Sequence, residues 1–461
     1  MSPTLPPDIL LMIMEELEKQ VSPTRKRLVG NWAAVSKHWH KFFEPILWHT
    51  LSIRPFVSRS NFDGFSENVS GHRRKLVHKI LLHVDLNIYP HGDRSVAESG
   101  YTKFENNSKF SAALHALFHH LSTWVVEPPR PTITLELSAS SPRDDLYHSP
   151  PRYHGRLRNL QPHGYSPYGA KIRLLGNLLN TDWLSFCDDP YFELPKVNVI
   201  AELFVTQRLY RSLSEKALSD ILKGLPCLSH INYEPWLAIP LRFQTEREEA
   251  NTNLFRNLGA NVRAVTLWEA QSWELHGVIC YSKMMWLWPP TNDKLAKQAA
   301  RASFTLRHLA ISHAIDATEF FIGFVEKASQ TQSKPLLQHV ALTCRIPYGN
   351  VDLTQIYDML KVAAHAASYM GMLQILEIWS PGRGQGFFFR CEVAKYAIKI
   401  TVAATFRISE IEEVLEAWQL ALRWYTRRKI QYVLKTIDPR VLTEPESICK
   451  YLKLYKSLRE W

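Results

Sequence analysis

Few residues in this chain could do chemistry, and the first candidate is the glycine-rich loop Gly382-Arg383-Gly384-Gln385-Gly386. Converging backbone amides and the Arg383 guanidinium could hold an anion there, as loops that open a helix do. Phe387-Phe388-Phe389 follows as a strand pattern, not a helix, so a hairpin turn is the favoured reading. The 19 histidines are scattered: His38 and His40 flank Trp39 on opposite sides of a helix, and the adjacent His119 and His120 cannot share a face. Six cysteines, at 187, 227, 280, 344, 391 and 449, never form C-x-x-C, and no histidine pair has zinc-finger spacing. They read as reduced structural thiols, with no metal site. No G-x-x-x-x-G-K-[ST], G-x-S-x-G or H-E-x-x-H occurs, so no catalytic residue and no cofactor is expected, and the chain does not read as an enzyme. What remains is a set of tryptophans, Trp236, Trp268 and Trp379, with Glu234, Glu269 and Glu377 beside them. If they end parallel strands in register they line one edge, either as a recognition surface or as simple packing.

The elements that must position them follow a recurring apolar-x-x-apolar-x-apolar hexad. It appears at Trp48-Leu51-Ile53, Val77-Ile80-Leu82, Ile200-Leu203-Val205, Leu228-Ile231-Tyr233 and Val262-Val265-Leu267. It recurs at Leu306-Leu309-Ile311, Leu337-Val340-Leu342 and Leu373-Leu376-Ile378, with a looser copy at Ile133-Leu135-Leu137. Capping-box patterns at Ser212-x-x-Glu215, Asp316-x-x-Glu319 and Asp352-x-x-Gln355 each lead into apolar residues at helical spacing, so the unit is strand, loop, helix. Such a unit resembles the leucine-rich repeat, although the steps are long and uneven and the asparagine ladder position is not consistently filled. Residues 138–170, with five prolines, read as an exposed loop, and 387–461 as a C-terminal cap in which Ser409-x-x-Glu412 starts a helix running through Trp424.

The N-terminus has a different character. Residues 5–17 place paired prolines at a helix start, Asp8 in its first turn, and Ile9, Ile13 and Leu17 four apart, with Leu10 and Met14 beside them. That stripe is too broad for so short a helix to bury alone. A second helical pattern runs from about Leu28 to Phe43, and Pro45 is expected to stop it. Leu5-Pro6 with Asp8-Ile9-Leu10, then Val35-Ser36-Lys37-His38-Trp39, then Leu47-Trp48 resemble the F-box, over residues 5–48. Ser36 replaces the customary cysteine, and a basic insertion at 22–27 lengthens the first connection. The resemblance implies docking onto the Skp adaptor, and through it a cullin scaffold, by Leu5, Pro6, Ile9, Leu10, Ile13, Leu17, Val35 and Trp39. An ordinary helical cap on the following domain is the alternative.

The expected architecture is therefore α/β, with a three-helix F-box-like module over 1–50 and an irregular leucine-rich-repeat-like solenoid over 51–461. This combination is similar to fungal F-box proteins and implies a ubiquitin-ligase substrate adaptor with an unknown protein substrate, for which Trp236, Trp268 and Trp379 are a candidate surface if they are not simple packing. The net charge of +11 is spread over short clusters, which points away from a nucleic-acid groove, though a scaffold or nucleic-acid-associated protein is the second reading. No apolar run spans a bilayer, and no obligate homo-oligomer is evident, so a cytoplasmic or nuclear protein is expected.

Overall fold

Period-two burial dictates the architecture. In the computed structural model the hexads fall on strands, and their second and third apolar positions point to one side. The structure describes residues 7–19, 26–54, 69, 71–90, 93, 96–125, 133–144, 173, 178–179, 193–237, 244–269, 292–347, 349, 351–394, 397–409, 411–422 and 429–454. Three helices lead: α1 (Pro7–Lys19), α2 (Lys26–Ala33) and α3 (Lys37–His49). β1 (Thr50–Ile53) follows, then a one-turn α4 (Arg73–Leu76), β2 (Lys79–Asp85), α5 (Gly100–Ser122) and β3 (Ile133–Ser140). Next come β4 (Leu178–Leu179), β5 (Ile200–Val205), β6 (Ser212–Leu213), α6 (Glu215–Gly224), β7 (His230–Tyr233), α7 (Gln244–Arg256) and β8 (Ala264–Trp268). The chain continues through α8 (Asp293–Ala302), β9 (His308–Ser312), α9 (Ala317–Gln330), β10 (His339–Thr343), α10 (Leu353–Tyr369) and β11 (Ile375–Ser380). It ends in β12 (Phe387–Val393), β13 (Ala397–Ala404), α11 (Glu412–Ala421), β14 (Lys429–Thr436) and the 3-10 turns Pro439–Val441 and Pro445–Tyr451.

Twelve strands form one sheet in the order β1-β2-β3-β5-β7-β8-β9-β10-β11-β12-β13-β14, while β4 and β6 pair separately. From β1 to β11 every neighbouring pair is parallel; β12 is antiparallel to β11 and β13, and β14 is parallel to β13. Strand order that never reverses, with crossovers of one hand, puts all crossover helices on one face. The main core agrees: Phe110, Leu218, Leu254, Leu295, Phe320, Met359 and Trp418 of successive helices share it with Ile80, Leu135, Leu203, Ile231, Val265, Leu309, Val340 and Leu376 of successive strands. From α6 to α11 each helix packs on the next. Among the described residues no helix is long and apolar enough to cross a membrane.

Several expectations need correction. The pattern from Leu28 to Phe43 is two helices, because the Ser36 hydroxyl accepts from Trp39 N at 3.3 Å and caps a new one. Pro45 does not stop that helix, which runs to His49. Its one lost hydrogen bond is offset by Ile46 and Leu47 packing on the module core and Trp48 on the main core. Residues 138–140 are not loop but the buried end of β3, and 145–170 lie outside the described residues. The α6 cap is Ser214, whose hydroxyl accepts from Ala217 N at 3.1 Å; Ser212 belongs to β6. Asp316 and Asp352 do cap α9 and α10, but α11 has no side-chain cap from Ser409 and ends at Ala421; Trp424 lies outside the described residues. The 381–386 loop is the β11–β12 turn, where Gly384 has φ +69° and a Cβ on Gly382 would sit 2.2 Å from the Gln385 carbonyl.

Candidate functional site

The N-terminal module has its own small core of Met14, Val29, Ala33 and Phe43, with Trp32 and Trp39 rings 5.3 and 5.6 Å from the Phe43 ring. The eight residues assigned to adaptor docking divide around it. Leu10, Leu17 and Trp39 pack inward against that core, so they hold the module together and are not a free face. Ile9 (46% exposed), Ile13 and Val35 (63%) face outward; Leu5 and Pro6 lie outside the described residues. Met12, 67% exposed, and Leu11 join them, residues that a strict every-fourth-residue count passes over. Ile9, Met12 and Ile13 are i, i+3, i+4 neighbours and form one apolar stripe. Glu44 of α3 ties the module to the body, pairing with His72 at 3.1 Å and Arg73 at 3.3 Å, while Arg73 lies 4.8 Å over the Trp48 ring. Burial disfavours the Glu44 charge, but these partners hold its carboxyl below the usual range. The basic triplet beginning at Arg73 is thus occupied in packing: Arg74 also stacks over Trp124 at 5.5 Å.

Parallel register brings the three predicted tryptophans together. Trp268 ends β8 and Trp379 lies near the end of β11; their rings stack at 5.8 Å, with His313 edge-on to them at 5.2 and 5.4 Å. Trp236 stacks on Tyr210 at 6.0 Å and donates its indole N–H to the Gln207 carbonyl at 2.9 Å. All three belong to one cluster on the face opposite the helices, yet none is exposed: Ile437, Leu442, Ile448, Cys449 and Leu452 of the C-terminal segment lie in the same cluster. The expected surface is corrected to a covered one. A hexad count could not see this, because the cover comes from beyond the last strand.

Further along that face the sheet floor is polar and half-buried. Lys79 pairs with Glu136 at 2.9 Å, and Thr134 donates to Glu202 at 2.8 Å. His308 and His339 on adjacent strands place their Nδ1 atoms 2.7 Å apart, so one must donate to the other. Burial, with His339 and His230 adding, pushes His308 down to about 4 and keeps it neutral.

Two buried polar clusters occupy the carboxyl ends of the strands; sequence reasoning misses the Arg211 cluster, and of the other it singles out only Glu269. Arg211, after β5, donates through Nε and Nη2 to Glu98 at 2.9 and 2.6 Å and through Nη1 to Asp144 at 2.8 Å. Tyr89 and the Ser141 amide donate to the same Asp144 carboxylate at 3.1 and 2.7 Å, and Asn106 donates to Glu98 at 3.3 Å. Glu269, after β8, accepts from Gln244 Nε2 at 2.6 Å, and burial pushes its carboxyl up to about 7. His313, after β9, is the only non-glycine residue among those described with positive φ, at 68°, and its amide donates to Thr343 Oγ1 at 2.9 Å. Among the described residues no group of three metal-type ligands gathers. Cys227, Cys344, Cys391 and Cys449 form no disulfide with one another, and burial raises Cys344 and Cys391.

Residues 257–458 match the model of a family of unknown function, DUF6546. That stretch begins just before β8 and takes in Trp268, Trp379 and the segment over them, but neither Trp236 nor the N-terminal module. No curated protein and no solved structure matches the chain.

Proposed function

We propose that the chain is a non-catalytic substrate adaptor of a Skp-cullin-F-box ubiquitin ligase, docking to the Skp subunit through its N-terminal module and presenting a protein substrate on a leucine-rich-repeat-like body. The observation that carries this reading is the apolar stripe of Ile9, Met12 and Ile13, with Val35, left exposed on a three-helix module that has its own core. Exposed apolar side chains gathered on one short helix fit a protein partner better than water. The F-box-like motif order over residues 5–48 supports which partner. The one-sided helix layer and unreversed parallel strands support the repeat-like body, whose role is to hold a substrate near a ubiquitin-charged partner.

Co-expression with the Skp adaptor tests it. The wild-type chain should co-purify with the adaptor, and Ile9→Asp with Ile13→Asp should abolish capture while leaving the body folded by circular dichroism. Leu10→Ala should act differently, loosening the module itself. No co-purification, or capture indifferent to the Ile9 and Ile13 changes, refutes the proposal; salt-sensitive nucleic-acid binding without adaptor binding would favour the scaffold reading.

A further inference from the structure

Glu377 and Arg390 stand directly opposite each other on antiparallel β11 and β12, on the face away from the helices. They pair at 2.5 Å and together grip the main chain of the C-terminal segment. The Glu377 carboxylate accepts from the amides of Lys453 at 2.9 Å and Leu454 at 3.0 Å, and Arg390 donates to the Tyr451 carbonyl. A node that reads N–H and C=O groups is indifferent to side chains. Selectivity comes from separate recesses. Ile448 and Leu452 pack in the Trp379 and Phe388 cluster, while Leu454 packs with the small side chains of Ala310 and Ala341 on two neighbouring strands.

The attachment is of a kind that can be lifted. Gly384 N–H donates to the Leu442 carbonyl at 2.8 Å, and past that point the segment's main chain is held by the Glu377 and Arg390 side chains. Lifting them leaves Glu377 and Arg390 still paired, so neither charge is stranded, unlike the loss of one partner from a buried pair. Grip on the main chain, recesses for alternate side chains, and a node that survives opening are the properties of a peptide-binding site.

We propose that residues 443–454 are an intramolecular ligand closing a peptide-binding site on β9–β12, and that a short partner peptide with apolar residues spaced like Ile448, Leu452 and Leu454 takes their place. Five strands, β2, β3, β5, β7 and β8, separate the site from β1 and the N-terminal module, so it stands independently of the adaptor reading.

Two measurements on the full-length chain decide it. Amide hydrogen exchange should show residues 443–454 opening locally, faster than β10, β11 and β12. A fluorescein-labelled synthetic peptide of residues 444–454 should bind Leu452→Asp/Leu454→Asp chain at least about ten-fold more tightly than wild type, because closure lowers apparent affinity by the open fraction. Adding Glu377→Ala should remove that binding. If the double variant does not fold, Lys453→Pro, which removes one amide read by Glu377, replaces it. Exchange of the segment only at the global unfolding rate, or no peptide binding by the folded loosened chain, overturns the proposal.

Discussion

Replacing Arg211 with Met should destabilise the body more than any other single loss of charge. The Arg211 side chain is 1% exposed, and its carboxylate partners Glu98 and Asp144 are 2% and 0% exposed, so water cannot substitute for the guanidinium. Asp144 keeps its bonds from Tyr89 and the Ser141 amide, but Glu98 keeps only Asn106 among the bonds described above, at a long 3.3 Å. Breaking a buried pair by removing one partner costs about 3–5 kcal/mol, and two carboxylates are stranded here, which places the loss at the upper part of that range. Neutralising them should reverse most of it: Arg211→Met with Glu98→Gln and Asp144→Asn should return to within about 2 kcal/mol of wild type, since an isosteric uncharged cluster is nearly neutral in stability. Urea unfolding followed by far-ultraviolet circular dichroism measures both. Hydrogen exchange localises the effect, with the amides of Leu86, Asn87 and Ser141 losing protection first because this cluster ties together the loops after β2, β3 and β5. A loss below about 1 kcal/mol for the single variant, or a triple variant no more stable than the single one, would refute this account.

Glu269→Gln keeps an acceptor for Gln244 and removes a carboxyl that burial pushes up to about 7. A raised carboxyl takes up a proton on folding, so its contribution is fully present below the unfolded value and lost as pH rises through about 7. The variant should gain roughly 3 kcal/mol over wild type near pH 8 and almost nothing near pH 4; equal offsets in urea titrations at the two pH values would contradict it. Gly386→Ala should cost about 1–3 kcal/mol by overpacking, because its Cβ would meet Leu442 Cδ1 at 2.6 Å and Ile448 Cδ1 at 3.2 Å. An unchanged melting temperature would show that the C-terminal segment yields without cost.

Much of the sheet was legible because each hexad sets two apolar positions two residues apart, as burial on one face demands, and several hexads lead into a helix signal. Leu309 with Ile311 and Leu376 with Ile378 are inward-facing strand pairs whose neighbours Ala310 and Glu377 face the other way. Helix α7 was not legible, since Gln244, Arg247, Asn251 and Thr252 are buried while reading as solvent-facing. The tryptophan row could be placed but its exposure could not: register is local to neighbouring strands, whereas the covering segment arrives from residues 437–454. The Arg211 cluster joins residues 113 and 67 positions apart, and no spacing rule connects them. In the module, alternation marked the apolar stripe of α1 but could not divide it into Leu10 and Leu17 facing inward and Ile9 and Ile13 facing out, which depends on where Phe43 lies.

The unreversed strand order has a consequence for how damage and innovation spread. Between β1 and β11 each strand hydrogen-bonds only to the strands placed immediately before and after it in the sheet, so the backbone ladder is a chain of nearest-neighbour terms. Strand β8 pairs in parallel with β7 and β9 alike, and helix α8 packs between α7 and α9. Loss or duplication of a unit would shorten or lengthen the sheet by one strand, leaving the N-terminal helices before β1 and the antiparallel pairing at β12 as they are.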